Sequence, residues 1–91
     1  MTQGLNLRDL DLRYAALSGL NLSRAKVNNS TKFNNANLCG SSLCHITRNR
    51  DPHLHGANFD DETKLDSRWL GSKEACIAAG MTYISEEENQ K

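Results

Sequence analysis

Aliphatic residues recur along this chain at a constant step of five. The first run is Leu7, Leu12, Leu17, Leu22 and Val27, and each is preceded, two positions earlier, by another apolar residue. The apolar steps therefore alternate between two and three residues, whereas a helix requires steps of three and four and a long strand requires a steady two. Because the residue added before each new pair demands a bend, the spacing predicts a corner every five residues.

The same pattern continues after Val27 with one inserted residue, and again after Phe59 with a second one. The segments 27–33 and 59–65 share this insertion and the Thr-Lys pair that follows it. The stretch from Ile46 to Asp51 breaks the pattern, and it is either a loop bulging from the fold or part of a binding surface. The later members of the series are Phe33, Leu38, Leu43, Leu54, Phe59, Leu65 and Leu70, with Thr31, Ala36, Ser41, Ala57 and Thr63 two positions before five of them.

These residues resemble the pentapeptide repeat proteins, whose consensus is approximately Ala-Asp/Asn-Leu-x-x. Segments 36–40 and 57–61 match best, and the resemblance covers residues 5–70. It implies an all-β solenoid, a right-handed quadrilateral β-helix of about three coils, with the repeated side chain and the one two positions earlier both inside. The 91 residues then form a single pentapeptide-repeat domain.

The residues after the repeats predict a short capping helix over about 72–79. Ser72 suits the N-cap, Glu74 lies near the positive end of the helix, and Gly80 suits its end. We expect this helix to cover the C-terminal end of the repeats, because an exposed end is an adhesive edge. Residues 85–91 are expected to form a polar tail.

The N-terminal end of the repeats has only residues 1–4 available as a cover. Leu5, Leu7, Leu10 and Leu12 lie in the first turn. This end is therefore predicted either to join a second copy in a homodimer or to be covered by its own tucked N-terminal segment.

Cysteine and histidine residues raise the question of a zinc site. Cys39 and Cys44 are expected at outward positions on neighbouring faces, and His53 and His55 on another face, so the side chains diverge. The spacing predicts exposed, unligated thiols and imidazoles, with no metal and no cofactor. A disulfide between Cys39 and Cys44 is the alternative, which requires their Cα atoms to lie within ~7 Å. Cys76, on the helix, is expected to be a small buried residue.

The sequence carries no motif of a catalytic nucleophile or a phosphate-binding loop. Asp60, Asp61 and Glu62 are adjacent carboxylates at the second insertion, where we expect a solvated acidic turn. An interior filled with leucine leaves no cavity for a substrate. We therefore predict that the chain is not an enzyme.

Charge and cysteine content bear on partners and on location. Eleven Lys and Arg residues balance eleven Asp and Glu residues, so the overall charge favours neither nucleic acid nor a membrane as a partner. Three cysteines, and charged residues where the apolar core of a leader would lie, predict a cytoplasmic protein. Translocation into a host cell is left open.

Outward charges single out one mildly basic side of the predicted repeats. The candidate interaction surface comprises Arg8, Arg13, Tyr14, Lys26, Lys32, Arg48, Arg50, His53 and His55. We therefore expect a small, rigid, non-enzymatic module that binds another protein, whose identity the sequence does not specify. Two alternatives remain open: a DNA mimic that inhibits or protects a topoisomerase or another DNA-binding enzyme, as the resemblance implies, and an effector delivered to a host cell.

Overall fold

The backbone turns after most of the repeated apolar residues at a residue with a positive φ angle. The computed structural model describes residues 4–48, 50–66 and 68–85. Within these residues, a hydrogen bond closes most turns, as from the N–H of Leu10 to the carbonyl of Leu7 at 3.3 Å. The predicted corners are therefore confirmed. The turning residues have φ between 59° and 79°, and they are Asp9, Tyr14, Gly19, Arg24, Asn35, Gly40, His45 and Gly56.

Between the turns, the chain pairs in parallel with segments 20 to 24 residues away in the sequence. Most of these contacts are isolated bridges of a single residue pair. They line up in four runs, which we call the first to fourth columns. The first is Asn6–Lys26–Thr47, the second Asp11–Lys32–His53, the third Ala16–Asn37–Asn58–Thr82 and the fourth Asn21–Ser42–Lys64.

Only four strands extend beyond a single bridge in the described part of the chain, and each has two residues. They are β1 (Lys26–Val27), β2 (Thr47–Arg48), β3 (Asn58–Phe59) and β4 (Thr82–Tyr83). Strand β1 pairs with β2 and β3 with β4, both in parallel. The result is two separate two-stranded sheets.

The expected all-β solenoid, a right-handed quadrilateral β-helix, is wrong. Within the described residues the strands form two small sheets and no closed or solenoid sheet. The physical reason lies in the length of the unit. Because each turn occupies four of its five residues, only one residue is left to bridge to the neighbouring segment, and the bridges do not grow into strands.

The core lies between the columns, and the residue that follows each bridging residue enters it. Leu12, Leu17 and Leu65 are half-buried at its edges. The buried members of this series are Leu7, Leu22, Val27, Phe33, Leu38, Leu43, Leu54 and Phe59.

The residues two positions earlier are inside only where they are small. Ala25, Thr31, Ala36, Ser41 and Ala57 are completely covered. By contrast, the exposed fractions of Leu5, Leu10 and Leu20 are 56%, 43% and 46%. The inward position implied for these three leucines is therefore wrong. All three lie in the first turn, where Ala15 at the same place is also only half-buried, because the described residues provide no turn on its other side.

A short helix, α1, spans Lys73–Ala78. The Ser72 hydroxyl accepts a hydrogen bond from the Ala75 N–H at 3.1 Å, which confirms the predicted N-cap. The chain leaves the helix at Gly80, where φ is 96°. Cys76 has no exposed surface and belongs to the core, as predicted.

Residues 86–91 of the expected polar tail lie outside the described residues. In the part of the chain that the structure describes, no helix is long and apolar enough to cross a lipid bilayer.

The first insertion forms a turn that is closed by a buried threonine. The Thr31 hydroxyl donates to the Leu7 carbonyl at 2.8 Å and accepts from the Asn28 N–H at 3.1 Å. The Asn28 side-chain oxygen accepts from the N–H groups of Asp9 and Ser30. Among the described residues of this insertion, none has a positive φ. The extra residue and the hydroxyl thus replace the left-handed residue used elsewhere.

The second insertion repeats this arrangement with Thr63 and Asp60. The Thr63 hydroxyl donates to the Leu38 carbonyl at 3.1 Å and accepts from the Asp60 N–H at 3.0 Å. The Asp60 carboxylate accepts from the N–H groups of Gly40 and Glu62. Asp60 is therefore buried, and the prediction of a solvated acidic turn is wrong for it, although Asp61 and Glu62 are exposed.

We expect Thr63→Val to lower the free energy of unfolding by about 1–3 kcal/mol, because the shape is kept while buried main-chain groups lose their partner. Urea unfolding measures the change. Thr82→Val is the matched control, since Thr82 is exposed and pairs through its backbone. Equal losses in the two variants would contradict the role of the Thr63 hydroxyl.

The three cysteines are free thiols with different exposure. Cys39 is 4% exposed, so the prediction of an exposed thiol is wrong for it. The adjacent turns cover it, since Gly19 N–H bonds to the Cys39 carbonyl and Gly40 N–H to the Asp60 carboxylate. Burial, with the nearby charge of Asp60, raises the pKa of the Cys39 thiol. Cys44 is only half-buried.

We expect a thiol reagent to modify Cys44 first in the folded chain, with Cys39 and Cys76 reacting only on unfolding. Burial also raises the pKa of the Cys76 thiol, which lowers its thiolate fraction further. Mass spectrometry of partly labelled protein identifies the site. Cys44→Ser removes the fast reaction and Cys39→Ser leaves it; early labelling of Cys39 would contradict its burial.

Candidate interaction surface

The first column carries positive charge without a counter-charge. Lys26 lies in it between Asn6 and Thr47. The Arg8 Nε atom donates to the Asn6 side-chain oxygen at 3.0 Å, which holds the guanidinium beside this column. Arg8 and Lys26 are both exposed, and neither forms an ion pair with a described residue. The structure thus brings these two predicted residues together.

The second column holds Lys32 and His53, and a single carboxylate there, Asp11, offsets part of the positive charge. Both residues line up with Asp11. The Arg13 Nη2 atom lies 2.7 Å from the Asp11 Oδ2 atom. The hydrogen bond from the Arg13 side chain, above all, lowers the pKa of Asp11 to about 2. Asp11 therefore stays ionised, and Arg13 contributes little free charge.

Tyr14 and His55 lie at the corner between the second and third columns. Tyr14 is 77% exposed and His55 is exposed. Their turns adjoin through the Asn34–Asn35 turn, whose groups bond to the Tyr14 N–H and the His55 carbonyl. The second column separates both residues from Lys26, so the predicted surface is divided. Arg50 is exposed.

An open cleft of about 430 Å³ continues the first column. Thr47, which pairs with Lys26, is one of its walls. Arg68 and Trp69 were not predicted as site residues, because they lie between the repeated positions Leu65 and Leu70, where the pattern specifies no residue type. The complete lining is Ile46, Thr47, Arg48, Asp66, Arg68 and Trp69.

Arg48 occupies a place that belongs to the core in neighbouring turns. It pairs in register with Val27, which is 3% exposed. The side chain of Arg48 keeps 29% of its surface exposed. Its guanidinium carbon lies 5.0 Å from the centre of the Trp69 ring, and its Nη1 atom lies 2.7 Å from the Asp51 carboxylate. The aliphatic stem is thus covered while the charge reaches the cleft.

The predicted irregular stretch from Ile46 to Asp51 therefore contributes to both the core and the cleft. Ile46 is buried in the core. Thr47 and Arg48 form β2, so pairing continues through the first part of the stretch. Asn49 lies outside the described residues.

Asp66 is a buried carboxylate in the wall of the cleft, with 7% of its surface exposed. It accepts hydrogen bonds from the N–H groups of Arg68 at 3.0 Å and Ile46 at 3.2 Å. The first of these contributes most to lowering the pKa of Asp66. Asp66 is therefore a fixed anion that orders the backbone on both sides of the cleft.

The predicted dimer end is only partly apolar surface. Leu5 and Leu10 are exposed and Leu12 is half-buried. Leu7 is 8% exposed and belongs to the core, so its prediction as an interface residue is wrong. Exposed Leu20 extends the apolar end. Residues 1–3 of the predicted alternative cover lie outside the described residues.

We expect Asp66→Asn to destabilise the fold at neutral pH, because the carboxylate holds two main-chain N–H groups. The folded pKa lies below the ordinary aspartate value of 3.8. The stabilisation is therefore present above that value and is lost as the pH falls through the lower folded pKa. Urea unfolding at a series of pH values measures it. The difference between wild type and D66N should shrink in acid; a constant difference would contradict this role.

The described residues form no metal-binding cluster, and no related protein indicates where a functional site lies. Among the described residues, no group of three or more His, Cys, Asp and Glu side chains is arranged to hold a metal ion. No protein-family model, curated protein or solved structure matches the chain. The resemblance to the pentapeptide repeat proteins therefore stays a prediction from the repeated residues.

Proposed function

We propose that this chain is a non-enzymatic protein-interaction module that binds an acidic segment of a partner protein. The binding surface is the first column with its adjoining cleft, which we call the basic face: Arg8, Lys26, Thr47, Arg48, Arg68 and Trp69. One observation carries the proposal. Arg8 and Lys26 are exposed, adjoin one another through Asn6, and lack an ion pair with any described residue.

The cleft adds a place for a side chain of the partner. Arg68 is 73% exposed, and its Nε atom lies 3.5 Å from Asp66, which leaves most of its guanidinium open to a carboxylate. Trp69 is half-buried and supplies an apolar wall. An extended acidic segment would thus meet Arg8 and Lys26 along the column and Arg68 at its end.

A protein partner has more support than a nucleic acid. Binding to single strands combines a cationic groove with several aromatic rings on which successive bases stack. The basic face has one such ring, Trp69, and the guanidinium of Arg48 already lies over it. Asp11 offsets one of the two cations at the second column, Arg13 and Lys32, so this column adds less positive charge than the first.

The other readings have less support from the described residues. A DNA mimic needs aligned, exposed carboxylates, whereas Asp60 and Asp66 are buried and Asp11 is paired with Arg13. A catalytic role for the cleft has weak support because Asp66 is held as an anion by backbone hydrogen bonds, so it is a poor proton donor.

The chain has one tryptophan, Trp69, so its fluorescence reports on the cleft directly. We expect a peptide of glutamates to change this fluorescence in a saturable, salt-sensitive way. Lys26→Glu should weaken the binding by about fivefold, since an attraction becomes a repulsion. The measurement is a titration of each variant at low ionic strength.

Lys64→Glu is the matched control, because Lys64 is also an exposed lysine at a bridging position, but in the fourth column. Its affinity for the peptide should stay close to that of the wild type. An equal loss in both variants would mean that only the overall charge matters. Tighter binding of single-stranded DNA than of the glutamate peptide would replace the proposal with a nucleic-acid function.

A further inference from the structure

The N-terminal end of the fold is an open hydrogen-bonding edge. In the first turn of the chain, Asn6, Asp11, Ala16 and Asn21 begin the four columns. Their own backbone N–H and C=O groups make no backbone hydrogen bond to a described residue, because the next turn bonds to the residues on either side of them. Such unpaired groups are a template for pairing with another chain.

Apolar side chains accompany this edge. Leu5, Leu10 and Leu20 are 56%, 43% and 46% exposed, and Leu12 and Leu17 are only half-buried. The edge therefore combines apolar surface with free backbone groups.

The charges of the first turn permit a second copy of this chain as the partner. Arg8, Arg13 and Arg24 are offset by Asp9 and Asp11, and the Arg13–Asp11 pair is already formed. One excess positive charge is left in each copy, so two copies of this end repel one another only weakly. None of the four bridging residues is a lysine, the side chain that commonly protects a free edge.

The geometry of a two-fold axis suits this edge. An axis perpendicular to the columns sets the two edges against each other in antiparallel directions, so that a free N–H can meet a free C=O. The fold measures 35 × 27 × 23 Å. An end face with its two shorter dimensions would cover ~600 Å² per copy, or ~1,200 Å² in total. This is at the lower end of specific protein interfaces.

We propose that the chain forms a two-fold homodimer through its N-terminal edge, with the edges of Asn6, Asp11, Ala16 and Asn21 paired between copies and Leu5, Leu10 and Leu20 buried around them. This goes beyond the proposed function. The two surfaces adjoin at Asn6 and Arg8, whereas Lys26 is assigned to the basic face alone.

Sedimentation equilibrium of the full chain, from low to high micromolar concentration, tests the dimer. We expect a monomer–dimer equilibrium, and Leu10→Lys should raise the dissociation constant by about tenfold or more, because an apolar contact is lost in both copies. Ile77→Lys is the control, since Ile77 is an exposed apolar residue of α1 with 51% of its surface open. It should leave the equilibrium unchanged.

Hydrogen exchange separates edge pairing from mere apolar association. The amides of Asn6, Asp11, Ala16 and Asn21 should be protected at high concentration and exchange quickly in the dilute protein. The same amides should exchange quickly in L10K at either concentration, while core amides such as that of Leu38 stay protected and report an intact fold.

Several results would overturn the homodimer. These are a strict monomer at high micromolar concentration, an equal effect of I77K, growth beyond the dimer, or edge amides protected in the monomer because the chain covers its own edge.

Lys26→Glu distinguishes this proposal from the proposed function. The substitution should weaken peptide binding while the dimer persists, and loss of only one property identifies which proposal fails.

Discussion

The left-handed residue that ends each five-residue unit sets most of the structure. A turn of this type takes four residues, so one residue is left to pair with the neighbouring segment and the next one enters the core. Several of these turning residues, including Tyr14, Arg24 and His45, are not glycine. Each such conformation costs about 1 kcal/mol, so the turns persist only because bridges and burial on both sides of them offset that cost.

The two insertions show that the fold keeps the columns aligned even when the number of residues between bridging positions changes. Asn6 and Lys26 bridge across 20 residues, whereas Asp11 and Lys32, with the first insertion between them, bridge across 21. A turn with one more residue needs no positive φ, but it leaves main-chain groups that the usual turn would satisfy. The buried hydroxyls of Thr31 and Thr63 bond to those groups, so an added residue changes the turn without shifting the core.

The sequence was most informative where one residue decides the outcome locally. The period placed Leu38 in the core, and the Ser72 hydroxyl predicted the start of α1. It was misleading where the outcome depends on neighbouring turns: Leu10 is exposed because no described turn lies beyond the first one, and Cys39 is covered by turns about 20 residues away. It said nothing of Trp69, because this residue lies between the repeated positions Leu65 and Leu70, where the period specifies no residue type. The length of the strands could not be predicted either. A repeat of five residues does not specify how many of them form the turn and how many are left to pair.

A fold whose turns pair along one direction has two ends, and in this chain the two ends differ. At the C-terminal end the chain supplies its own cover: Trp69 packs against the core, and α1 adds Cys76 to it. The same cover allows a charged residue, Arg48, to occupy a position that is part of the core in the neighbouring turn. The indole ring of Trp69 packs against the Arg48 guanidinium, which extends toward solvent. The described residues supply no comparable cover at Leu5 and Leu10. The cleft and the open edge thus have the same origin, which is that a series of single bridges ends with unpaired backbone groups. At one end Trp69 and α1 cover the last turn, and at the other end the first turn is left for another molecule to pair with.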